Sequence, residues 1–308
     1  MNAAYITTVG KIREAINKNE FSTISDKILE GCKLFLLTNP SDSEIQSWKN
    51  SIPPFINALS KACDSLPVIV ELKMPIGNER ADLVLLGGED SAIVVELKHW
   101  GTSKISKYKD IENQVVLGEL RRGAMRTHPG YQTDGYVGKI QNFNSVGNNY
   151  KIKGLSFLDS TPYENEIDNI LNSQFKSQVY FSDQTNELSS FISDFLTPNA
   201  MTEDSAINFA KGEYEISGRL VDYISSNKQN IKEKIYNVLT TTGFSLSEEQ
   251  LNAVNKILTY AQHANKINSS GKRPIPRVFL INGDPGSGKT LVALSILIEA
   301  IGRGINAM

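Results

Sequence analysis

At 308 residues the chain has room for about two domains. Its 32 Lys and Arg against 34 Asp and Glu give a formal net charge of −2. That balance excludes a general basic attraction for nucleic acid, so any such contact must come from a local patch. The apolar and aromatic fractions, 40% and 8%, are those of a soluble globular protein, and no apolar run reaches the ~20 residues of a membrane span. Cys32 and Cys63 lack CxxC spacing and nearby histidines, which favours two reduced, buried thiols over a disulfide. The polar, charged N-terminus is not a signal peptide. A cytoplasmic protein with no membrane partner is expected.

The first sixty residues read as helical. "SDSE", Ser41 to Glu44, has capping-box spacing, and Ile45, Trp48 and Ile52 follow at helical intervals until Pro53 and Pro54 break the pattern. "PVIVELKMP" is a strand. "ERADLVLLGG" and "SAIVVELKHW" are two more, joined by a glycine-rich hairpin turn. A polar, basic connection leads to "HPGYQTDGYVGKIQNF", a helix with Pro129 in its first turn. "YKIKGLSFLDS" is a fourth strand and "NELSSFISDFL" a short amphipathic helix. Residues 1–200 therefore predict an α/β fold, and 201–240 a linker region. In 241–308, Ser247 caps a helix with Leu251, Val254, Ile257 and Leu258 on one face, and "RVFLINGDPGSGKTLVALSILIEAI" reads as strand, loop and helix.

Charges interrupt the central hairpin. Asp82 breaks the first strand, and Glu96 and Lys98 share one face of the second because side chains alternate. A suitable register brings the two carboxylates together, where they repel unless a divalent cation neutralises them. Mg²⁺ (or Mn²⁺) suits such an oxygen-only site, and Lys98 beside it can polarise a water or offset charge on a phosphate oxygen. A solvated ion pair on a strand face is the plainer reading of E-x-K alone.

"RAD" plus "VVELK" followed by "HPGYQTDGY" resembles the PD-(D/E)xK nuclease superfamily, in its RecB-like branch. The resemblance covers about residues 40–160 and implies a restriction-endonuclease-like mixed sheet flanked by helices. It further implies Asp82 and Glu96 as metal ligands, Lys98 as the catalytic lysine, and a Q-x-x-x-Y pair, Gln132 and Tyr136, that orients lysine and substrate. Ala81 stands where the family usually has proline. A further acid precedes the aspartate in many members, with Glu71 the first candidate here and Glu44 the second. Lys98, Lys104, Lys107, Lys109, Arg121, Arg122, Arg126 and His128 form a basic cluster diluted by Asp110, Glu112 and Glu119, either a phosphate-contacting patch or a solvated loop. His99 is either a site residue or packed at a strand end.

"GDPGSGKT", Gly283 to Thr290, fits the P-loop pattern in full. Gly283, Gly286 and Gly288 let backbone N–H groups wrap phosphates, Lys289 reaches the β- and γ-phosphates, and Thr290 holds Mg²⁺. "FSLSEEQLNAV" resembles the adenine-recognising Q motif of superfamily 1 helicases, with Gln250 in the matching place. The layout as a whole resembles proteins with a Schlafen group 3-type DNA/RNA helicase domain behind a nuclease-like domain. The sequence stops soon after Thr290, without a Walker B acid, so an incomplete P-loop NTPase segment is expected, part of a longer nuclease–helicase or completed by a partner or a second copy. ATP hydrolysis is expected only in a longer parent chain. The resemblance implies metal-dependent DNA cleavage, with DNA ahead of RNA, in bacterial DNA processing or defence. The alternative is a non-cleaving nucleic-acid or partner-binding module with a nucleotide-sensing P-loop.

Overall fold

The computed structural model describes residues 1–100, 105–107, 114–117, 124–198, 201–215, 246–271, 273–283, 287–302 and 305. Six strands form one mixed sheet in the order β1-β2-β3-β4-β8-β9. β1 (Ala3–Thr8), β2 (Pro67–Lys73), β3 (Arg80–Gly87) and β4 (Ser91–Lys98) pair antiparallel in succession. β8 (Lys151–Leu158) and β9 (Gln178–Phe181) then add in parallel. Between β4 and β8 the chain makes a three-stranded sheet of β5 (Ile105–Lys107), β6 (Gln114–Leu117) and β7 (Ala124–Thr127) inside the expected polar connection, followed by α4 (Pro129–Phe143). A parallel neighbour requires such a crossover.

Alternating apolar residues cover both faces of the large sheet. Val68, Leu83, Leu85, Ile93 and Val95 pack under α1 (Val9–Asn17), α2 (Phe21–Leu34), α3 (Asp42–Ala58) and α6 (Thr185–Leu196). Ile69, Val84, Leu86 and Val94 face α4 and α7 (Glu203–Ala210). α7 lies in the segment read as a link, yet it buries Ala206, Phe209 and Ala210 against this face. α5 (Asn165–Leu171) covers the far edge with β9. Cys32 and Cys63 are buried free thiols, as expected.

Three expectations are corrected. The N-terminal sixty residues are not all helical, because β1 forms the sheet edge on β2. The capping box at Ser41 and Glu44 is present, but α3 continues through Pro53 and Pro54 to Ala58. Burial of Trp48, Ile52, Phe55 and Ile56 along that helix outweighs the local penalty of about 3 kcal/mol that a helix-interior proline carries. Finally, 273–283 carries no regular structure, and Val278 and Leu280 are exposed. A parallel strand takes its ladder from neighbours, and among the described residues none pairs with this run. The flanking helices do form: α8 (Glu248–Ser269), capped by Ser247, and α9 (Lys289–Gly302), which opens at Lys289. Among the described residues no helix is long and apolar enough to cross a membrane.

Candidate active site

The site forms where the β3–β4 ladder runs out. Backbone pairs extend from Gly87–Ser91 to Leu83–Val95, and one further step of that register sets Asp82 level with Glu96. There the Leu97 amide donates to Asp82 Oδ2 at 2.7 Å. On the neighbouring β2, Glu71 has φ +55°, a left-handed conformation that costs a non-glycine residue about 1 kcal/mol or more. The core records the resulting slip. Val70 and Leu83 face one cluster, while Leu72 and Ala81 face the other, although strict alternation would keep Val70 with Leu72 and Ala81 with Leu83. The sheet loses its phase at this level, which places the Asp82 carboxylate against a backbone amide and beside Glu96.

Glu96 is 4% exposed and opens a chain of hydrogen bonds to α4. Lys98 Nζ donates to Glu96 Oε1 at 2.7 Å and to Gln132 Oε1 at 2.9 Å. Gln132 Nε2 donates to Glu96 Oε1 and to the Tyr136 hydroxyl, each at 2.8 Å. Gln132 and Tyr136 therefore share a helical face, as their spacing predicted. Three contacts hold α4 in this position. Ser156, the ladder partner of Glu96, meets the Thr133 hydroxyl at 2.8 Å. Asp134 accepts from the Lys176 and Ser177 amides. Lys139 Nζ, almost wholly buried, donates to Glu79 at 2.9 Å. His128, counted in the basic cluster by sequence, is instead the buried N-cap of α4, its Nδ1 accepting from the Gly130 amide at 3.1 Å.

Electrostatics follow from burial. Desolvation pushes the Asp82 carboxyl well above the usual carboxylate range, and the Glu96 charge pushes it the same way, against the opposing pull of the Leu97 amide and Lys98. Burial raises Glu96 too, with Lys98 opposing. Burial disfavours the Lys98 charge, but Glu96 and Asp82 together outweigh it, so its pKa rises and the amine stays protonated. Burial and then Glu96 hold the Tyr136 hydroxyl well above its usual pKa, which keeps it neutral.

Glu96 Oε2 is buried and has no hydrogen-bond partner. An orphaned carboxylate oxygen is costly unless something occupies its lone pairs. Oxygen chemistry, two adjacent acids and this orphan fit a divalent cation held by Asp82 and Glu96. Among the described residues no group of three or more His, Cys, Asp and Glu side chains gathers as metal ligands. Such an ion would take its other ligands from water and substrate, as Mg²⁺ commonly does. Lys98 and Gln132 open onto a cavity of about 330 Å³, whose other walls are Trp100, Arg126, Thr127 and Glu248.

Glu71 lies close enough for its charge to raise Asp82 and Glu96 further, but its own carboxylate has other partners. Its carboxylate accepts from Trp48 Nε1 at 2.8 Å and Arg80 Nε at 2.5 Å, and Arg80 Nη2 also donates to Glu44 at 2.7 Å. Both candidates for the further acid thus bind Arg80. His99 Nδ1 lies 2.8 Å from Asp159, at the sheet end. Lys104, Lys109, Arg121 and Arg122 lie outside the described residues, as does the side chain of Lys107.

In the segment Gly283 to Thr290, Gly286 and the Thr290 side chain lie outside the described residues. Lys289 Nζ donates to the Gly283 carbonyl at 2.7 Å. Gly288 has φ +77°, and Gln250 Nε2 donates to the adjoining Ser287 carbonyl at 2.8 Å.

No family model matches the chain, and no solved structure matches it. It is similar over 72 residues, at 36% identity, to the ATP-dependent zinc metalloprotease FtsH of Mycoplasma mobile. That stretch is 23% of this chain and 10% of the relative, so the chain spans about a tenth of the length of the protein it matches. The three histidines here, His99, His128 and His263, provide no H-E-x-x-H zinc site.

Sequence reasoning missed Trp100, Thr127 and Glu248 as cavity walls, and Arg80 and Trp48 as the partners of Glu71. The charge within "ERAD" was a signal for Arg80, since a cation opening a mostly buried strand needs an acid to meet it. Glu248 left no local signal, because it arrives through tertiary packing.

Proposed function

We propose that this chain is a metal-dependent nuclease that hydrolyses phosphodiester bonds of DNA, and that its C-terminal loop binds a nucleotide. The observation that carries the first part is Glu96. One of its oxygens is held by Lys98 and Gln132, and the other is buried without a partner. Bound to Asp82 and Glu96, Mg²⁺ or Mn²⁺ would supply Lewis-acid charge at the phosphate. The residues do the rest. Lys98, kept protonated, donates toward the attacking water or a phosphate oxygen and offsets the charge that builds there. Gln132 fixes the Lys98 amine and the Glu96 carboxylate at once, and Tyr136 fixes Gln132. Arg126, at the rim of the cavity, is placed to meet a neighbouring phosphate, a contact that adds salt-dependent affinity without sequence preference.

Incubation of the purified chain with end-labelled DNA and RNA in Mg²⁺, Mn²⁺ or chelator tests this reading. Metal-dependent cleavage lost in Asp82→Ala and Lys98→Ala supports it. Intact nucleic acid that is nonetheless bound supports a non-cleaving module, a reading favoured only by the small number of gathered acids. For the loop, Lys289 and Gly288 in the P-loop pattern support ATP binding with Mg²⁺ on Thr290. Unchanged ATP affinity in Lys289→Ala would contradict it.

A further inference from the structure

β4 and β8 run parallel and end together, with Lys98 opposite Leu158 as their last pair. In open α/β sheets ligands gather beyond the carboxyl ends of such strands. Lys98 and Trp100 line the cavity that Gln132 faces, whereas His99 is not among its walls. His99 meets the end of β8 instead. Its Nδ1 lies 2.8 Å from Asp159 Oδ1 and 3.1 Å from Ser160 Oγ, and that hydroxyl donates to Asp159 Oδ1 at 2.6 Å. Two further bonds fix both chain segments. The Asp159 amide donates to the Lys98 carbonyl at 3.2 Å, and the Thr161 hydroxyl donates to the Trp100 carbonyl at 2.8 Å. A ring nitrogen, a carboxylate and a hydroxyl are thus held together before any ligand arrives.

The aspartate is the informative member. Its side chain is 1% exposed, while the His99 side chain is half exposed. Oδ1 meets the hydroxyl and the ring nitrogen, but Oδ2 is buried and has no hydrogen-bond partner among the described residues. An unmatched buried carboxylate oxygen is costly. A protonated His99 would answer Oδ1 alone, and an ion pair with one member half in water contributes little. A cation seated between ring and carboxylate answers the charge of the whole group. The spacing suits one. Ligand atoms ~2.1 Å from a common ion stand about 3.0–3.4 Å apart, so the 2.8 Å contact has to open by only about 0.2–0.6 Å. Ligation at Nδ1 places the ring hydrogen on Nε2. Two protein ligands leave an open site, with the remaining positions taken by water or an incoming group.

We propose that His99 and Asp159 bind a divalent transition ion of the zinc type, with the Ser160 hydroxyl orienting the carboxylate. An imidazole ligand selects against Mg²⁺ and Ca²⁺, and Mn²⁺ stands lowest in the affinity order for such a site. The ion ties the end of β4, next to Lys98, to the end of β8. This site is separate from the one proposed at Asp82 and Glu96, and neither depends on the other.

The test uses the tag-free full chain, stripped with chelator and returned to buffer with excess Mg²⁺, so that Asp82 and Glu96 do not compete. Co²⁺ is titrated in; its visible absorption gives the stoichiometry, and competition by Zn²⁺ gives the affinity. One Co²⁺ per chain, displaced by Zn²⁺, is expected. His99→Ala and Asp159→Asn should each weaken binding more than tenfold, and Ser160→Ala by about tenfold, as for a group that orients a ligand. Asp82→Asn should bind as wild type does. Zn²⁺ should raise the Tm of wild type and leave that of Asp159→Asn unchanged. Absence of saturable binding, affinity unchanged in His99→Ala or in Asp159→Asn, or binding lost in Asp82→Asn overturns the proposal. Should a variant fail to fold, the wild-type chain decides by nuclear magnetic resonance. Co²⁺ should broaden the ring signals of His99 ahead of those of His128 and His263, and any other order overturns the site.

Discussion

Replacing Asp82 with Asn separates the proposed metal site from the fold. The side-chain oxygen of Asn can still accept the Leu97 amide hydrogen that Asp82 Oδ2 now takes at 2.7 Å, so the local backbone keeps its partner. The change removes one of two like charges at cross-strand spacing. At ~5 Å and an effective dielectric near 20 their repulsion is about 3 kcal/mol, and Lys98 already offsets part of it. Without metal at neutral pH, Asp82→Asn should therefore be more stable than wild type by about 1–2 kcal/mol, or roughly 2–8 °C in Tm for a domain of this size. The pH dependence has a definite sign. Burial and Glu96 raise the native Asp82 pKa, so its contribution to stability is fully present below the ordinary carboxylate range near 4. It is lost as pH rises through the elevated native value. Metal-free wild type should thus weaken with rising pH above ~4 more steeply than Asp82→Asn. Adding Mg²⁺ to ~100 times its Kd should return about 2.7 kcal/mol to wild type and almost nothing to the variant. Calorimetry in chelator and in Mg²⁺, at two pH values, reads all of these terms. A variant less stable than wild type in chelator, with an undiminished Mg²⁺ shift, would refute the charge-pair reasoning.

Other consequences can be checked alongside. Arg80→Ala leaves Glu71 buried without its cation and should cost about 3–5 kcal/mol in denaturant unfolding, whereas a loss under 1 kcal/mol would show the ion pair to be idle. Gly154→Ala should destabilise the fold by about 1–3 kcal/mol, because its β-carbon would collide with the Ser177 hydroxyl and the Thr133 side chain where α4 crosses β8. If that shift moves Gln132 off Glu96, cleavage should fall as well. Burial pushes the Cys32 thiol up to about 11 and raises Cys63, so neither should react with a thiol reagent at pH 8 until the protein is unfolded.

The legible parts of the fold were those whose local pattern carries its own physics. The β3–β4 hairpin follows from β-branched runs around a turn in which Gly88 adopts φ +59°. α4 follows from Pro129, and α8 from Ser247 with Gln250 three residues on. The pairs Glu96 with Lys98 and Gln132 with Tyr136 were legible for the same reason, since strand and helix periods fix which side chains share a face. The remainder depended on partners distant in sequence. β1 is a short run that becomes a strand only on meeting β2, and the 278–282 run lacks a neighbour to make it one among the described residues. Pro53 and Pro54 were misread because the burial that carries α3 through them is tertiary. Glu71 was a candidate through the family resemblance alone, and its bonds to Trp48 and Arg80 depend on partners that the local pattern does not show.

The proposed hydrolysis requires a cation between Asp82 and Glu96. Titration of the nucleotide-free chain with Mn²⁺, followed by electron paramagnetic resonance, measures this directly. One bound ion per chain, lost in both Asp82→Asn and Glu96→Gln but kept in Thr290→Ala, is the expected result. Binding that is unaffected by either acid substitution would contradict it.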